Sequence, residues 1–260
     1  MRLAMNSGRK QRISEAFGAA ADQYDDHAEP QRAAAALVAD LAQRQQPSGV
    51  QRILEIGCGT GLLTRHIQTR WPAAELVVTD LSPEMLARTA KGAFVAATFL
   101  AMDGEAPPFE GEWFDLILSS LAFQWFDELE EAIGRLTRLL RPGGSLIFST
   151  MGQGSFARWR QAHEACGLVA GVPAYPSLDD LRRMLATYGD AFAFDELFPL
   201  QCGSARGLIA HLRGIGAVVP AEGRQPLATK DLRRVMTAFD QAGGEDAYQM
   251  LFGRITRLKD

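Results

Sequence analysis

A chain of 260 residues, 47% hydrophobic and 22% charged, has the make-up of a globular protein with one sizeable core and room for a small lid. Its formal net charge of −4 excludes an overall attraction to nucleic acid, and Cys58, Cys166 and Cys202 are too few and too scattered for a disulfide framework. The opening "MRLAMNSGRKQR" is basic but leads into no apolar run, and "AAAALVADLA" is broken well short of a membrane span. The expected setting is therefore the reducing cytoplasm, with no membrane partner.

An Ala-rich helix is predicted near residues 31–44, with Leu37, Val38 and Leu41 on its core side, and "QPSG" at 46–49 ends it. The chain then alternates. "VQRILEIG" reads as a strand, 61–71 as a helix, "ELVVTD" as a strand and 82–91 as a helix started by Ser82 and Pro83. "FVAATFLAMD" and "FDLILSS" are further strands, 127–140 is a helix closed by "RPGG", and "SLIFSTM" is a fifth strand. Repeated strand–helix units with apolar strands imply a parallel sheet covered on both faces. Beyond Met151, residues 155–190 read as mainly helical with a break at 173–176. "AFDELFPLQ" and "AYQMLFGRITRL" read as strands, and 204–214 and 229–241 as helices. Three regions of one structural domain follow. Residues 1–47 form a helical segment contributing to a substrate lid, 48–151 the cofactor core, and 152–260 the rest of the sheet with an inserted helical lid.

The stretch "ILEIGCGTGLLTRHI" places a glycine-rich turn after the first strand, where doubly wound sheets bind ligands. Its glycines are Gly57, Gly59 and Gly61, and Leu62 stands where a dinucleotide fingerprint needs the third glycine. No Gly-Lys-Ser/Thr follows, so a P-loop is excluded as well. Glu55, two residues before Gly57, would repel a pyrophosphate and attract an ammonium or sulfonium group. Asp80 ends the second strand, where it would accept both hydroxyls of a ribose. A ligand with a ribose and a cationic amino-acid end satisfies both acids, and S-adenosylmethionine is such a ligand. Asp103 would accept the adenine amino group, with Gly104 allowing close approach. Ser119 to Leu121 lie where the methyl donor should point, and Cys58 and Leu81 complete the expected cofactor set. The expected fold is thus α/β, a Rossmann-like class I methyltransferase with a seven-stranded, mostly parallel sheet.

The flanks narrow this further. "AFGAAADQYDDHAEPQ" before the core, "SSLAFQW" after the fourth strand and "HLRGIGA" in the lid together resemble the malonyl-[acyl-carrier-protein] O-methyltransferases of biotin synthesis, the BioC-like family, in order along nearly the whole chain. One departure is Arg213, where that family commonly has lysine; the charge is kept but the planar fork differs. The resemblance implies transfer of a methyl group from S-adenosylmethionine to the free carboxyl of a malonyl thioester, carried by acyl carrier protein or coenzyme A, with S-adenosylhomocysteine as second product. Such a carboxylate is already ionised, so no catalytic base is expected, only positioning. Tyr24 and Arg213 are the substrate-clamp candidates, with Gln124 and Trp125 beside them. Trp125 and Phe126 read equally as chamber wall or as core.

Other patterns carry less. "GQGSF" at 152–156 only loosely resembles a nucleophile elbow, and Ser155 reads better as a helix N-cap. His27, His66, His163 and His211 lack metal-ligand spacing with the cysteines, so no metal is expected, and His211 reads as polar lid packing. Arg182, Arg183, Arg233 and Arg234 form basic pairs that would suit an acidic carrier protein or a solvated face. No target-base Asn-Pro-Pro-Tyr motif points to nucleic acid. Methylation of another small acid or a quinone precursor, or a non-catalytic scaffold of the same fold, remain the alternatives.

Overall fold

The computed structural model describes residues 7–46, 48–92, 94–220 and 226–258. The first six residues of the basic opening, and Pro47 of the expected turn, lie outside the described residues. Before the sheet come α1 (Ser7–Ala20), a 3-10 turn at Tyr24–His27 and α2 (Glu29–Gln45). The core then runs β1 (Arg52–Ile56), α3 (Leu62–Arg70), β2 (Glu75–Asp80), α4 (Pro83–Ala90), β3 (Ala97–Ala101) and β4 (Phe114–Ser120). A second 3-10 turn at Phe123–Trp125 leads to α5 (Leu129–Arg138) and β5 (Leu140–Met151). The last third contains α6 (Ala157–Ala165), α7 (Leu178–Leu185), β6 (Asp190–Leu200), α8 (Ala205–Gly214), α9 (Thr229–Gln241) and β7 (Asp246–Thr256).

The seven strands form one sheet in the order β3-β2-β1-β4-β5-β7-β6. The first five pair in parallel, and β7 runs antiparallel to both neighbours, as expected of a mostly parallel seven-stranded sheet. Alternation along the strands explains the two-sided core. Ile53, Leu116, Leu118 and Ile147 pack toward α2 and α3, whereas Leu54, Ile117, Leu146 and Phe148 pack toward α5 and α7.

Three expectations need correction. The core side of α2 is Ala34, Ala35, Val38, Ala39 and Ala42, with Leu37 and Leu41 only partly buried; small side chains let this helix lie close against the sheet. The helix expected over 127–140 stops at Arg138, and "RPGG" already belongs to β5, whose pairing with β4 shifts register between Phe114 and Leu116. Ser155 is no cap: its hydroxyl donates to the Gln249 carbonyl at 3.0 Å and accepts the Gln249 N–H at 3.0 Å, joining the start of the α6 region to β7. Ser82 does cap α4, accepting the Met85 N–H. The close approach of α2 gives a direct test. Ala39→Leu should destabilise the fold by about 1–3 kcal/mol through overpacking, seen as a lower denaturation midpoint, whereas Ala33→Leu on the exposed side should change little.

Candidate functional site

Two cavities meet at the carboxyl ends of the strands, beside the point where strand order reverses between β1 and β4. The first is bounded below by the glycine turn and by the ends of β2, β3 and β4. Gly57, Cys58, Gly59, Asp80, Leu81, Asp103, Gly104 and Leu121 all lie in its wall. Above it runs α1, contributing Lys10, Ser14 and Phe17.

The glycines are needed for different reasons. All three adopt positive φ, at 71°, 55° and 86°. A Cβ on Gly57 would lie 2.4 Å from that of Ala122, and one on Gly61 2.9 Å from Thr89, so those two are demanded by packing. Only Gly59 faces open space, which leaves backbone exposed to a ligand. Gly104 is also a packing glycine, since a Cβ there would meet Ile56 at 2.6 Å and Phe126 at 2.9 Å. It also lies in the wall of the first cavity, where close approach of a ligand is expected.

The three acids sit in three different environments. Asp80 accepts the N–H of Gly59 and the N–H of Ser82, one on each oxygen and each at 2.8 Å. Each oxygen keeps a lone pair, the arrangement a vicinal diol requires. Burial raises the pKa of Asp80, and those N–H groups oppose the rise. Asp103 accepts the Glu105 N–H at 3.0 Å and pairs with Lys10, which reaches Glu105 as well. Each Asp103 oxygen thus has one partner and keeps a lone pair, so Lys10 shares this carboxylate without removing the acceptor expected for an adenine amino group. Glu55 is fully buried and does not line the cavity; it lies behind the glycine turn. Neither of its oxygens has a well-formed hydrogen bond among the described residues, and burial pushes its pKa up to about 8. Asp80 adds to the rise, while Thr64 and Arg65 oppose it. Gly61 and Ser119 are likewise outside the wall, and the Ser119 hydroxyl donates to the Ile56 carbonyl at 2.9 Å.

The second cavity is a chamber of about 410 Å³ with mostly apolar walls. Gln124 and Trp125 bound it on the sheet side, Phe156 and Trp159 toward α6, and Arg213 and Ile215 toward α8. Tyr175 and Tyr248 also reach it. Tyr24 lines both cavities; burial, with Asp80 and Asp25 nearby, holds its phenol well above the usual range, so it remains protonated. Arg213 is exposed and makes no ion pair among the described residues. Leu121, at the junction, has φ 52°, a strained state for leucine; its N–H donates to the Ser149 hydroxyl at 3.1 Å. Trp125 lines the chamber, so the open choice resolves toward chamber wall for it, whereas Phe126 lines only the first cavity and packs against the core, stacked on Phe123.

The wall residues Lys10, Ser14, Gln31, Thr60, Tyr175 and Tyr248 were not anticipated. His211 shares a hydrogen bond with the Tyr248 hydroxyl at 2.8 Å, which is the polar packing expected of it. No group able to hold a metal occurs among the described residues. The basic pairs are largely neutralised on their own helices, Arg182 by Asp179, Arg183 by Asp180 and Arg234 by Asp231.

Comparison with known proteins places this geometry. Residues 54–148 match the methyltransferase domain family. The chain is 42% identical over 242 residues to a biotin biosynthesis bifunctional protein BioCD of Bordetella avium, covering 93% of this chain and 51% of that protein. It thus spans about half the length of that relative. It is also 34% identical over 257 residues to a malonyl-[acyl-carrier protein] O-methyltransferase of Magnetococcus marinus, covering 97% of this chain and 94% of the other. The chain belongs to the malonyl-[acyl-carrier protein] O-methyltransferase family. The plantazolicin methyltransferase BpumL, solved with S-adenosylhomocysteine, shares its fold at a TM-score of 0.57 and 16% identity, with 95% of each chain covered. This family member is an S-adenosylmethionine-dependent methyltransferase, and its own residues fit that cofactor. Asp80 has free lone pairs for a diol, Gly59 leaves open space, and a buried acid with no well-formed hydrogen bond among the described residues underlies the turn.

Glu55 provides a pH test. A carboxyl whose native pKa lies above its ordinary 4.5 holds an extra proton when folded, so its contribution to stability falls as pH rises from about 4.5 to about 8. The burden at pH 7 is on the order of 3 kcal/mol. Glu55→Gln should therefore raise the Tm of the cofactor-free protein clearly at pH 8 and hardly at pH 5. Equal shifts at both pH values would contradict the assignment.

Proposed function

We propose that this methyltransferase esterifies the free carboxyl of a malonyl thioester, carried by acyl carrier protein or coenzyme A, in the pimeloyl branch of biotin synthesis. The observation that carries the reading is the junction between the two cavities. A polar, acid-lined cofactor site opens there into an apolar chamber whose ionisable groups offer no base. Tyr24, Tyr175 and Tyr248 are all held protonated by burial, and His211 is outside the chamber wall, with its ring nitrogen engaged by the Tyr248 hydroxyl at 2.8 Å. A carboxylate nucleophile, with an ordinary pKa of about 4, needs no base; an amine or hydroxyl substrate would. The names of the relatives support the same substrate.

When bound, S-adenosylmethionine supplies a sulfonium methyl group and departs as S-adenosylhomocysteine. The protein's part is alignment and exclusion of water. Asp80 would hold the ribose hydroxyls, and Gly57, Cys58 and Gly59 would carry the cofactor's amino-acid end. Glu55, which burial keeps protonated near neutral pH, would ionise as that cationic end approaches and place negative charge beneath it. Burial raises the Cys58 thiol well above its ordinary range, so it stays protonated and serves as a small wall residue. Leu121, Gln124 and Trp125 form the sheet-side wall, and Tyr24 orients the carboxylate from the N-terminal segment. Arg213 draws the substrate from the exposed side of the chamber. Alignment of this kind is worth about 7–11 kcal/mol of barrier.

The segments before and after the core act as the lid in this reading. Phe17, Tyr24 and Gln31 of the N-terminal segment line one side of the chamber, and Trp159 of α6 with Ile209, Leu212 and Arg213 of α8 line the other. No helix of the described residues is long and apolar enough to cross a membrane. We assign the protein to the cytoplasm, where its free cysteines suit a reducing compartment.

Transfer of labelled methyl from S-adenosylmethionine should reach a malonyl thioester in preference to a succinyl thioester or free malonate. The carrier-protein and coenzyme A forms are compared side by side. Loss of that preference would refute the substrate. In the same assay Tyr24→Phe and Arg213→Ala should each lower kcat/KM by about tenfold or more, leaving affinity for S-adenosylhomocysteine nearly unchanged. Full activity in both variants would remove these residues from the substrate site.

A further inference from the structure

Five residues belong to the walls of both cavities: Phe17, Tyr24, Gln31, Leu121 and Trp125. A methyl group passing from one cavity to the other crosses this shared wall, so its polar atoms border the reacting carboxylate. Three of the five carry polar side chains, and all three are neutral. Gln31 is 7% exposed, and its Oε1 has no hydrogen-bond partner among the described residues. The Nε1–H of Trp125 is equally buried and equally unpartnered. Buried polar atoms left in this state are costly unless a ligand satisfies them.

No cation among the described residues lines both cavities, and Arg9, which donates to the Trp125 carbonyl, is paired with Asp127 and lines neither. Lys10 lines only the cofactor cavity and is already paired with Asp103 and Glu105. Arg213 lines only the chamber and is exposed. This distribution suits the charge change in the reaction. The carboxylate loses its charge as the ester forms, so a guanidinium against it would stabilise the ground state more than the transition state. Neutral donors hold it with less penalty.

We propose that Gln31 is a substrate-binding residue. Its amide N–H group, presented by rotation about the terminal torsion, joins the Tyr24 hydroxyl and the Trp125 Nε1–H in holding the carboxylate that receives the methyl group. The substrate therefore enters carboxyl-first, with its thioester end toward Arg213. This inference rests on the carboxyl-methylation reading and adds to it the orientation of the substrate.

The test uses the full-length protein with Gln31→Met, which keeps the length of the side chain, and Gln31→Glu. Gln31→Met should bind S-adenosylhomocysteine as the parent does, which also reports a native fold, while kcat/KM for the malonyl thioester falls about tenfold. Gln31→Glu should lose more at pH 8, where two carboxylates face each other. It should recover in part by pH 5.5 as the buried new carboxyl takes a proton and the substrate, with an ordinary pKa of about 4, stays ionised. Unchanged kcat/KM in Gln31→Met would overturn the proposal. So would an equal loss of S-adenosylhomocysteine affinity, which would place Gln31 in the cofactor site, or a Gln31→Glu defect that ignores pH. Failure of the parent protein to use the malonyl thioester would instead refute the substrate reading, and this inference with it.

Discussion

The whole site depends on one buried ammonium group. Lys10 of α1 reaches down between Asp103 and Glu105, and Glu105 in turn accepts the N–H groups of Asp127 and Glu128 at the start of α5. Burial lowers the pKa of Lys10, but the two carboxylates more than offset this and raise it, so the charge persists at any physiological pH. Removing one member of such a cluster would strand the others without partners, which is why the contact orders α1 so firmly. The Ser14 hydroxyl donates to the Leu81 carbonyl, and Arg9 reaches Asp127 and the Trp125 carbonyl. Phe17 then meets the edge of Trp125 with ring centres 5.3 Å apart. The roof of the cofactor cavity and one wall of the chamber are therefore the same fastened helix.

The floor follows from a different constraint. The parallel strands are covered on both faces, so a charged residue within them has no route to water. Glu55 pairs in register with Val78 on β2 and Leu118 on β4, and its side chain is sealed behind the glycine turn. An unpaired carboxyl there carries its proton near neutral pH until a cation approaches. The acid before the turn thus acts through the backbone layer and not by direct contact. Asp80 escapes this fate because it is the last residue of β2, one step beyond the Ile56–Thr79 pair, and it turns into the cavity with two backbone N–H partners.

These differences explain what could be read from the residues alone. The strands were legible because burial on both faces writes them as apolar runs, and the strand-end acids because a ligand with a ribose and a cation needs them in that order. Helix α1 was not. "SGRKQRISEAFGAA" has two glycines and three basic residues, and an isolated helix of 14 residues is marginal in water. Its order comes from tertiary contacts that no local pattern encodes, and a lone Lys10 reads as a solvated charge. Gln31 stood at the end of the very stretch on which the family resemblance rests. A glutamine gains meaning only when the fold shows that it is buried and without a partner. For Gly104 the fold adds a packing reason that the residues alone did not show, since Ile56 and Phe126 crowd the place of a side chain.

The separation of charge between the two cavities has a consequence for substrate choice. A malonyl thioester carries its charge at one end only, and the chamber offers neutral donors at the junction and a cation, Arg213, on its exposed side. A longer dicarboxylate arm would push its carboxylate past the shared wall or force its thioester outward. Either displacement spoils the in-line approach to the methyl carbon, on which nearly all of the rate acceleration depends, because no acid–base chemistry is needed. The methyl ester that results has lost its charge, so the attraction that drew the carboxylate inward disappears with the reaction. The neutral junction and the outlying arginine therefore favour both entry of the acid and departure of the ester.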